Sequence, residues 1–370
     1  MQSDSPERLD VLLLLGSVQL RGSSNRALAL ADRLLGRKIG LKIVSTEPVR
    51  EFSPAWGKVE RRVSRYLHFS LLGRVTCLFL ATDLQKTPPD LIDIQHRSLH
   101  AAGSWLARRL ERPYVVTVHD YLRDRERFVV DRDWCRGVIA VSESVRSELL
   151  DRTQLSPDQV VVIPTGVFLP PDTEFCPVFE PGHFPVIGTA GPLESGKGLK
   201  HFLKAAARVL KKYPQTMFLI AGSGPEEQIL RRMAEDLKIS HAVSILPNLL
   251  NFDAALRAMD LFVLPALKQG LGSIMLDAMA HGLPVIATDS GGVFSVVVDG
   301  TTGLLVPPSD DVALAERMEY LLAHPAEAQQ LGAAARQHIM QHFQIDQMVT
   351  TIMDLYRKTA VEMRSRRSGV

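Results

Sequence analysis

Along the chain, short runs rich in Leu, Val and Ile alternate with stretches whose apolar residues recur every three or four positions. The runs "DVLLLLG", "LKIVST", "DLIDIQH", "PYVVTVHD", "GVIAVS" and "QVVVIP" predict strands. A strand covered on both faces is continuously apolar rather than alternating. Between them "SSNRALALADRLLGR" and "LHAAGSWLARRLE" carry the helical period. From Pro164 to Pro185 six prolines break both patterns, which is a linker composition. The pattern then restarts with strand "FPVIGTAG", helix "GLKHFLKAAARVLKKY", strand "TMFLIAG", helix "PEEQILRRMAEDLK" and strand "VSILP", and runs on through "DLFVLP" to "TGLLVP". Strands alternating with helices predict an α/β fold with two doubly wound, Rossmann-like domains in tandem. The predicted boundaries are 1–168, a linker at 169–184, and a second domain at 185–345. Residues 346–370 form a last helix, which suits packing on either domain, back on the first included, and a basic tip at Arg364, Arg366 and Arg367. Ligands of such sheets bind beyond the carboxyl ends of the strands, so two facing domains are expected to hold theirs in the cleft between them.

One stretch, "KQGLGSIMLDAMAHGLPVIATDSGG" from Lys268 to Gly292, concentrates the signals. Gly270 and Gly272 free the backbone to turn. Ile274, Met275, Ala278 and Met279 predict a helix from Ser273 to His281, closed by Gly282 and stopped by Pro284. "LPVIAT" follows as a buried strand. The helix opens with free N–H groups and the positive end of its dipole, which suits a phosphate. The competing reading is a tight loop that packs the helix on its sheet.

Composition narrows the field. At 370 residues the chain exceeds the size of one hydrophobic core. A net charge of +2 argues against a nucleic-acid partner. Cys77, Cys135 and Cys176 lie far apart with no CxxC pair, which points away from disulfides and zinc and toward a reducing cytoplasm. "VLLLLG" is too short for a membrane span and lacks a signal-cleavage pattern.

The remaining candidates sit in loops. In "TAGPLESGKG", Lys197 between Gly196 and Gly198 stands on the same strand edge as the Gly270–Gly272 turn, where an ammonium pairs with phosphate. "AGSGPEE" has Glu227 where a dinucleotide fingerprint needs its third glycine, so it reads as a strand-to-helix turn, with Glu226 and Glu227 favouring the helix start. That gap also argues against a nicotinamide-dependent dehydrogenase. His119 ends a strand, as either a site residue or a structural histidine. His96, His100 and His281 show no metal-ligand spacing. The basic run "WGKVERRVSRYLHF", with Lys58, Arg61, Arg62, Arg65, Trp56 and Phe69, reads as a solvated helix face, the alternative being an anionic membrane surface.

Residues 185–310 resemble the donor-binding half of the retaining glycosyltransferases of family 4, which have the GT-B fold. The resemblance is carried by "GPLESGKG", "AGSGP", "DLFVLP", "QGLGSIMLDAMAHGLPVIATDSGG" and "DGTTGLLVPPSD". The first half is similar more loosely, through "RGSSNRALALADRL", "PDLIDIQH", "VTVHD", "VSESVRSELL" and "VIPTGV". The resemblance implies a nucleotide-sugar donor, a sugar or lipid-linked acceptor, and transfer with retention, without metal or cofactor. It implies surface polysaccharide, lipopolysaccharide or glycolipid synthesis, in the cytoplasm or peripherally at the inner membrane. By the same resemblance Gly270, Leu271, Gly272 and Ser273 hold the donor diphosphate with Lys197. Asp277 takes the ribose, Gln269 and His119 face the transferred sugar, and Gly22 lies beneath the phosphates, before a helix capped by Ser23 or Ser24.

Four positions depart from that family. Gln269 and Asp277 stand where it usually has Glu, Pro192 where it has Arg, and Ser295 where it commonly has Glu. Loss of a charged hydrogen bond at Pro192 is worth about 1.5–3 kcal/mol, or roughly tenfold to a hundredfold in donor affinity. Lys200 is the nearby cation suited to replace it. The same departures define the alternative, a catalytically silent relative that binds a nucleotide sugar or a partner.

Overall fold

The computed structural model describes residues 8–16, 22–49, 53–67, 71–170, 178–180, 182–247 and 252–368. It divides into two units, Met1–Gly166 with Ile345–Val370, and Val167–Gln344.

The first unit holds strands β1 (Leu9–Leu15), β2 (Ile39–Ser45), β3 (Glu60–Val63), β4 (Leu91–Ile94), β5 (Tyr114–Val118), β6 (Cys135–Ala140) and β7 (Val160–Val162). Its helices are α1 (Gly22–Leu34), α2 (Leu71–Leu84), α3 (His100–Leu110) and α4 (Glu143–Arg152). The sheet order is β3-β2-β1-β4-β5-β6-β7, with each neighbouring pair parallel. β1 is apolar at nearly every position because sheet neighbours and helices enclose it.

The second unit holds β8 (Val186–Ala190), α5 (Leu199–Lys212), β9 (Met217–Ala221), α6 (Glu227–Asp236), β10 (Val243–Leu246), α7 (Asp253–Arg257) and β11 (Leu261–Leu264). It continues with α8 (Ser273–Ala280), β12 (Val285–Thr288), β13 (Leu304–Val306), α9 (Asp311–Ala323) and α10 (Pro325–His342). The order is β10-β9-β8-β11-β12-β13, again parallel throughout. Phe202 of α5 and Phe218 of β9 meet edge to face at 5.8 Å within its core. The buried Asp260 carboxylate accepts from the Phe179 N–H at 2.6 Å and the Val186 N–H at 2.7 Å, and pairs with His183 at 2.8 Å. Chain on both sides of 181 is thereby anchored to this unit. Residues 171–177 and 181, with three of the six prolines and Cys176, lie outside the described residues. Cys77 and Cys135 are buried free thiols.

The basic run is not a helix face. Residues 54–58 form a 3₁₀ turn and Glu60–Val63 is the sheet's edge strand, where charged side chains suit an uncovered edge. Trp56 is fully buried, with Nε1 donating to Asp32 Oδ1 at 2.9 Å. Phe69 and the Lys58 side chain lie outside the described residues. α2 carries no clear helical stripe because its apolar residues point both inward and outward.

The last helix, α11 (Ile345–Ser368), belongs to the first unit. Arg37 Nη2 of the α1–β2 connection donates to Asp346 at 2.7 Å. Deeper in, the Tyr356 hydroxyl donates to the Asp93 carboxylate of β4, which also accepts from Gln95 Nε2 at 2.7 Å. Asp93 is fully buried and its Oδ1 has no partner. Burial therefore pushes its pKa up to about 6.

Because the folded pKa lies above the ordinary value, the unfolded chain releases this proton first, and the Asp93 contribution to stability falls as pH rises from about 4 to about 6. Urea unfolding of Asp93→Asn beside wild type is expected to show the variant gaining up to about 3 kcal/mol relative to wild type across that window. Tyr356→Phe, which strips the carboxylate of a donor, is expected to cost about 1–3 kcal/mol at pH 7.

Candidate functional site

In the second unit the strand order reverses between β8 and β11, and the loops that leave their carboxyl ends are those read as chemical. The loop after β8 ends in a 3₁₀ turn, Ser195–Lys197. The loop after β11 runs through Gln269 to α8. Leu267 N–H donates to Gly196 O at 3.0 Å, joining the two. Gly198 has φ +66°, and a Cβ there would stand 1.8 Å from Pro265 O. Only glycine permits this approach. It brings Lys197 Nζ to within 2.8 Å of Gln269 Oε1, a hydrogen bond across 72 residues of sequence.

Gly272, at φ +86°, is the N-cap residue of α8 and accepts from Met275 N at 2.8 Å and Leu276 N at 3.1 Å. Gly270 is buried and outside the left-handed region, so Gly272 makes the turn. Leu271 is buried beneath it. α8 buries most of its surface and leaves Ser273, Ile274 and Asp277 half-exposed. Ser273 and Asp277 are one turn apart, hence on one face of the helix that opens beside Lys197 and Gln269. Gly282, just past the helix end, is left-handed at φ +77°.

Two side chains that sequence reasoning missed hold this loop. Thr288, ending β12, donates to Ala266 O, and Ser290 Oγ donates to the same oxygen at 2.9 Å; both are buried. Gly292 N–H donates to Gln269 O at 3.0 Å. Hydroxyls at the end of the otherwise apolar "VIATDS" were the available signal. Ser295 Oγ turns back to Gly292 O at 2.6 Å.

Lys200 does not stand in for arginine at position 192. Its ammonium pairs with the buried Glu226 at 2.8 Å. Glu226 in turn is not a side-chain cap for α6, where Glu227 alone is the first-turn acid.

In the first unit the order reverses between β1 and β4. Gly22 opens α1, the helix after β1; residues 17–21 and the Ser23 and Ser24 side chains lie outside the described residues. His119 follows β5, half-buried, with Nε2 3.2 Å from Gln95 O. A carbonyl only accepts, so Nε2 carries the proton and Nδ1 keeps its lone pair. Burial foremost, then the charges of His96 and Arg97, lowers its pKa to about 4. At neutral pH the ring is uncharged. His281 pairs with Asp253 at 2.8 Å and His100 contacts Tyr114 OH at 3.2 Å, both in structural settings. Among the described residues no three His, Cys, Asp or Glu side chains gather as metal ligands.

Residues 173–338 match the family model described as glycosyl transferases group 1, and residues 20–169 match that of glycosyltransferase family 4. The chain is 29% identical over 253 residues to the alpha-maltose-1-phosphate synthase of Mycolicibacterium smegmatis, covering 60% of this chain and 63% of that one. It is 38% identical over 164 residues to a GDP-mannose-dependent monoacylated alpha-(1-6)-phosphatidylinositol monomannoside mannosyltransferase of Corynebacterium glutamicum, covering 42% of each. The chain thus spans less than two thirds of the length of these relatives. Among solved structures, Anabaena HepE in complex with UDP and glucose superposes with a TM-score of 0.79 at 18% identity, over 94% of this chain and 98% of that one. The fold is shared.

Gly198→Ala is expected to destabilise the second unit by more than about 2 kcal/mol, since both φ and the Pro265 carbonyl oppose a Cβ. Gly196→Ala, which meets open space, is expected to leave the melting temperature nearly unchanged in the same calorimeter runs. In an NMR titration the His119 ring is expected to protonate near pH 4, well below His183, whose pKa the Asp260 hydrogen bond raises.

Proposed function

The chain belongs to the glycosyltransferases of family 4, and from that premise we propose that it moves a sugar from a nucleotide-sugar donor to an acceptor hydroxyl, with retention at the anomeric carbon. The observation that carries this reading is the Lys197–Gln269 hydrogen bond beside the α8 N-terminus, at the point where the strand order reverses.

In this reading the donor diphosphate lies against the amides of Gly270 to Ser273, where the helix dipole and the Lys197 ammonium meet its charge. Asp277, one turn along the same face, accepts from the ribose hydroxyls. Gln269 contacts the transferred sugar; in the first unit the neutral His119 ring has an Nδ1 lone pair suited to accept from a sugar hydroxyl. The bond from the anomeric carbon to the leaving phosphate oxygen breaks as the acceptor oxygen bonds on the same face. That phosphate oxygen takes the acceptor proton. Negative charge grows on the diphosphate, so fixed N–H dipoles and one cation there lower the barrier without a metal ion. The Pro192 position supplies no second cation, since Lys200 is spent on Glu226. A sugar or lipid-linked acceptor in glycan or glycolipid synthesis is supported by the names of the relatives.

Steady-state assays against UDP- and GDP-sugars, with product configuration read by NMR, test the proposal. Lys197→Ala is expected to lower kcat/KM by about tenfold to a hundredfold, the worth of one charged hydrogen bond, with an unchanged melting temperature. Full activity in that variant removes the phosphate clamp. Donor binding by calorimetry with no turnover makes the chain a silent relative.

A further inference from the structure

Where β4 meets α11 the interior of the first unit is polar. Asp93 and Gln95, two residues apart and so on one face of the strand, are both buried. Gln95 Nε2 donates to Asp93 Oδ2 at 2.7 Å and to Thr117 Oγ1, buried on the neighbouring strand β5, at 3.4 Å. The Tyr356 hydroxyl of α11 donates to the same Asp93 oxygen. Apolar side chains would fill this place at no cost in desolvation, whereas Asp93 Oδ1 is buried without a partner. With a pKa near 6 the carboxylate is charged at neutral pH, so the bond that holds Gln95 is charge-assisted. The network is a poor source of stability and a firm grip on one side chain.

The main chain of the same residue shows what the grip serves. Gln95 O stands 3.2 Å from His119 Nε2 and accepts the ring proton. Gln95 lies one residue past the end of β4, whose pairing with β5 stops at Ile94 and Val116. Its N–H still donates to Leu14 O of β1 at 3.0 Å, but on the β5 side the ladder has ended. Rotation of the peptide there is opposed by the side-chain bonds to Asp93 and Thr117. A neutral histidine whose Nε2–H is engaged keeps Nδ1 as an acceptor, because the bond at one nitrogen sets the tautomer of the ring.

We propose that Gln95 is a positioning residue for His119: anchored by Asp93, and through it by Tyr356 of the last helix, it fixes its own carbonyl so that the ring holds its proton on Nε2 and leaves Nδ1 to accept from a sugar hydroxyl. The part played by the sugar rests on the transferase reading; the tautomer does not.

The test is nitrogen-15 NMR of the full chain labelled at histidine, at about pH 8 and with neither donor nor acceptor present. The His119 signals are those lost in His119→Asn. Wild type is expected to hold the Nε2–H tautomer. Gln95→Leu keeps the carbonyl and loses its anchor, and is expected to populate both tautomers. In steady-state assays it is expected to lower kcat about fivefold, the worth of one neutral hydrogen bond, with the donor KM within about twofold. Should Gln95→Leu not fold, Asp93→Asn, which exchanges the charged acceptor for a neutral one, is expected to shift the tautomer in the same direction by a smaller amount. An Nδ1–H tautomer in wild type overturns the proposal. So does a lowered melting temperature with the wild-type tautomer retained, which makes Gln95 structural only. A chain that transfers no sugar removes the transferase reading, while the tautomer of His119 stands or falls by its own measurement.

Discussion

The candidate site rests on one close approach of backbone to backbone. Where the strand order of the second sheet reverses, the chain leaving β8 and the chain leaving β11 run side by side. A parallel doubly wound sheet opens a crevice at that point, and Gly198 against Pro265 O, with Leu267 N–H on Gly196 O, draws its two rims together. A side chain at 198 would hold them apart. With them joined, a cation from one loop and an amide side chain from the other share a hydrogen bond, and the opening turn of α8 stands beside both. The buried hydroxyls of Thr288 and Ser290 fix the second rim from behind.

Charge at this place is arranged economically. Gln269 is neutral, so its hydrogen bond orients the Lys197 ammonium without itself cancelling the charge. A glutamate at 269, as the family usually has, would partly neutralise it. Lys200 stabilises a carboxylate that the loop after β9 has buried. The two lysines lie three residues apart, yet one meets Gln269 of the neighbouring loop and the other closes a structural ion pair. Spacing along the chain carries no hint of that division.

The first unit shows the same tension between burial and polarity. Asp93 sits in a central strand where an apolar residue would pack without penalty, and its tie to Tyr356 holds the last helix against the sheet. Half of that carboxylate is unsatisfied, so the contact favours a particular partner helix more than it favours stability. On the outside, α2 reverses the logic by leaving large apolar side chains in water.

The sequence by itself determined the fold class, nearly every strand of both sheets, and the turn of Gly272 into α8. Parallel strands are continuously apolar, and glycine is favoured where φ is positive, so both leave marks in the order of residues. The edge strand β3 escaped that reading because neither of its faces is buried, and the helix α2 because it carries apolar residues on its exposed face as well as its buried one. The place of the last helix was likewise hidden, since its decisive contact joins Tyr356 to Asp93 across 263 residues. Which lysine meets which partner, and that Thr288 and Ser290 hold the loop, were decided only in three dimensions. Hydrogen bonds between distant segments depend on strand order in space, and strand order is a property of the packed sheet rather than of any local stretch.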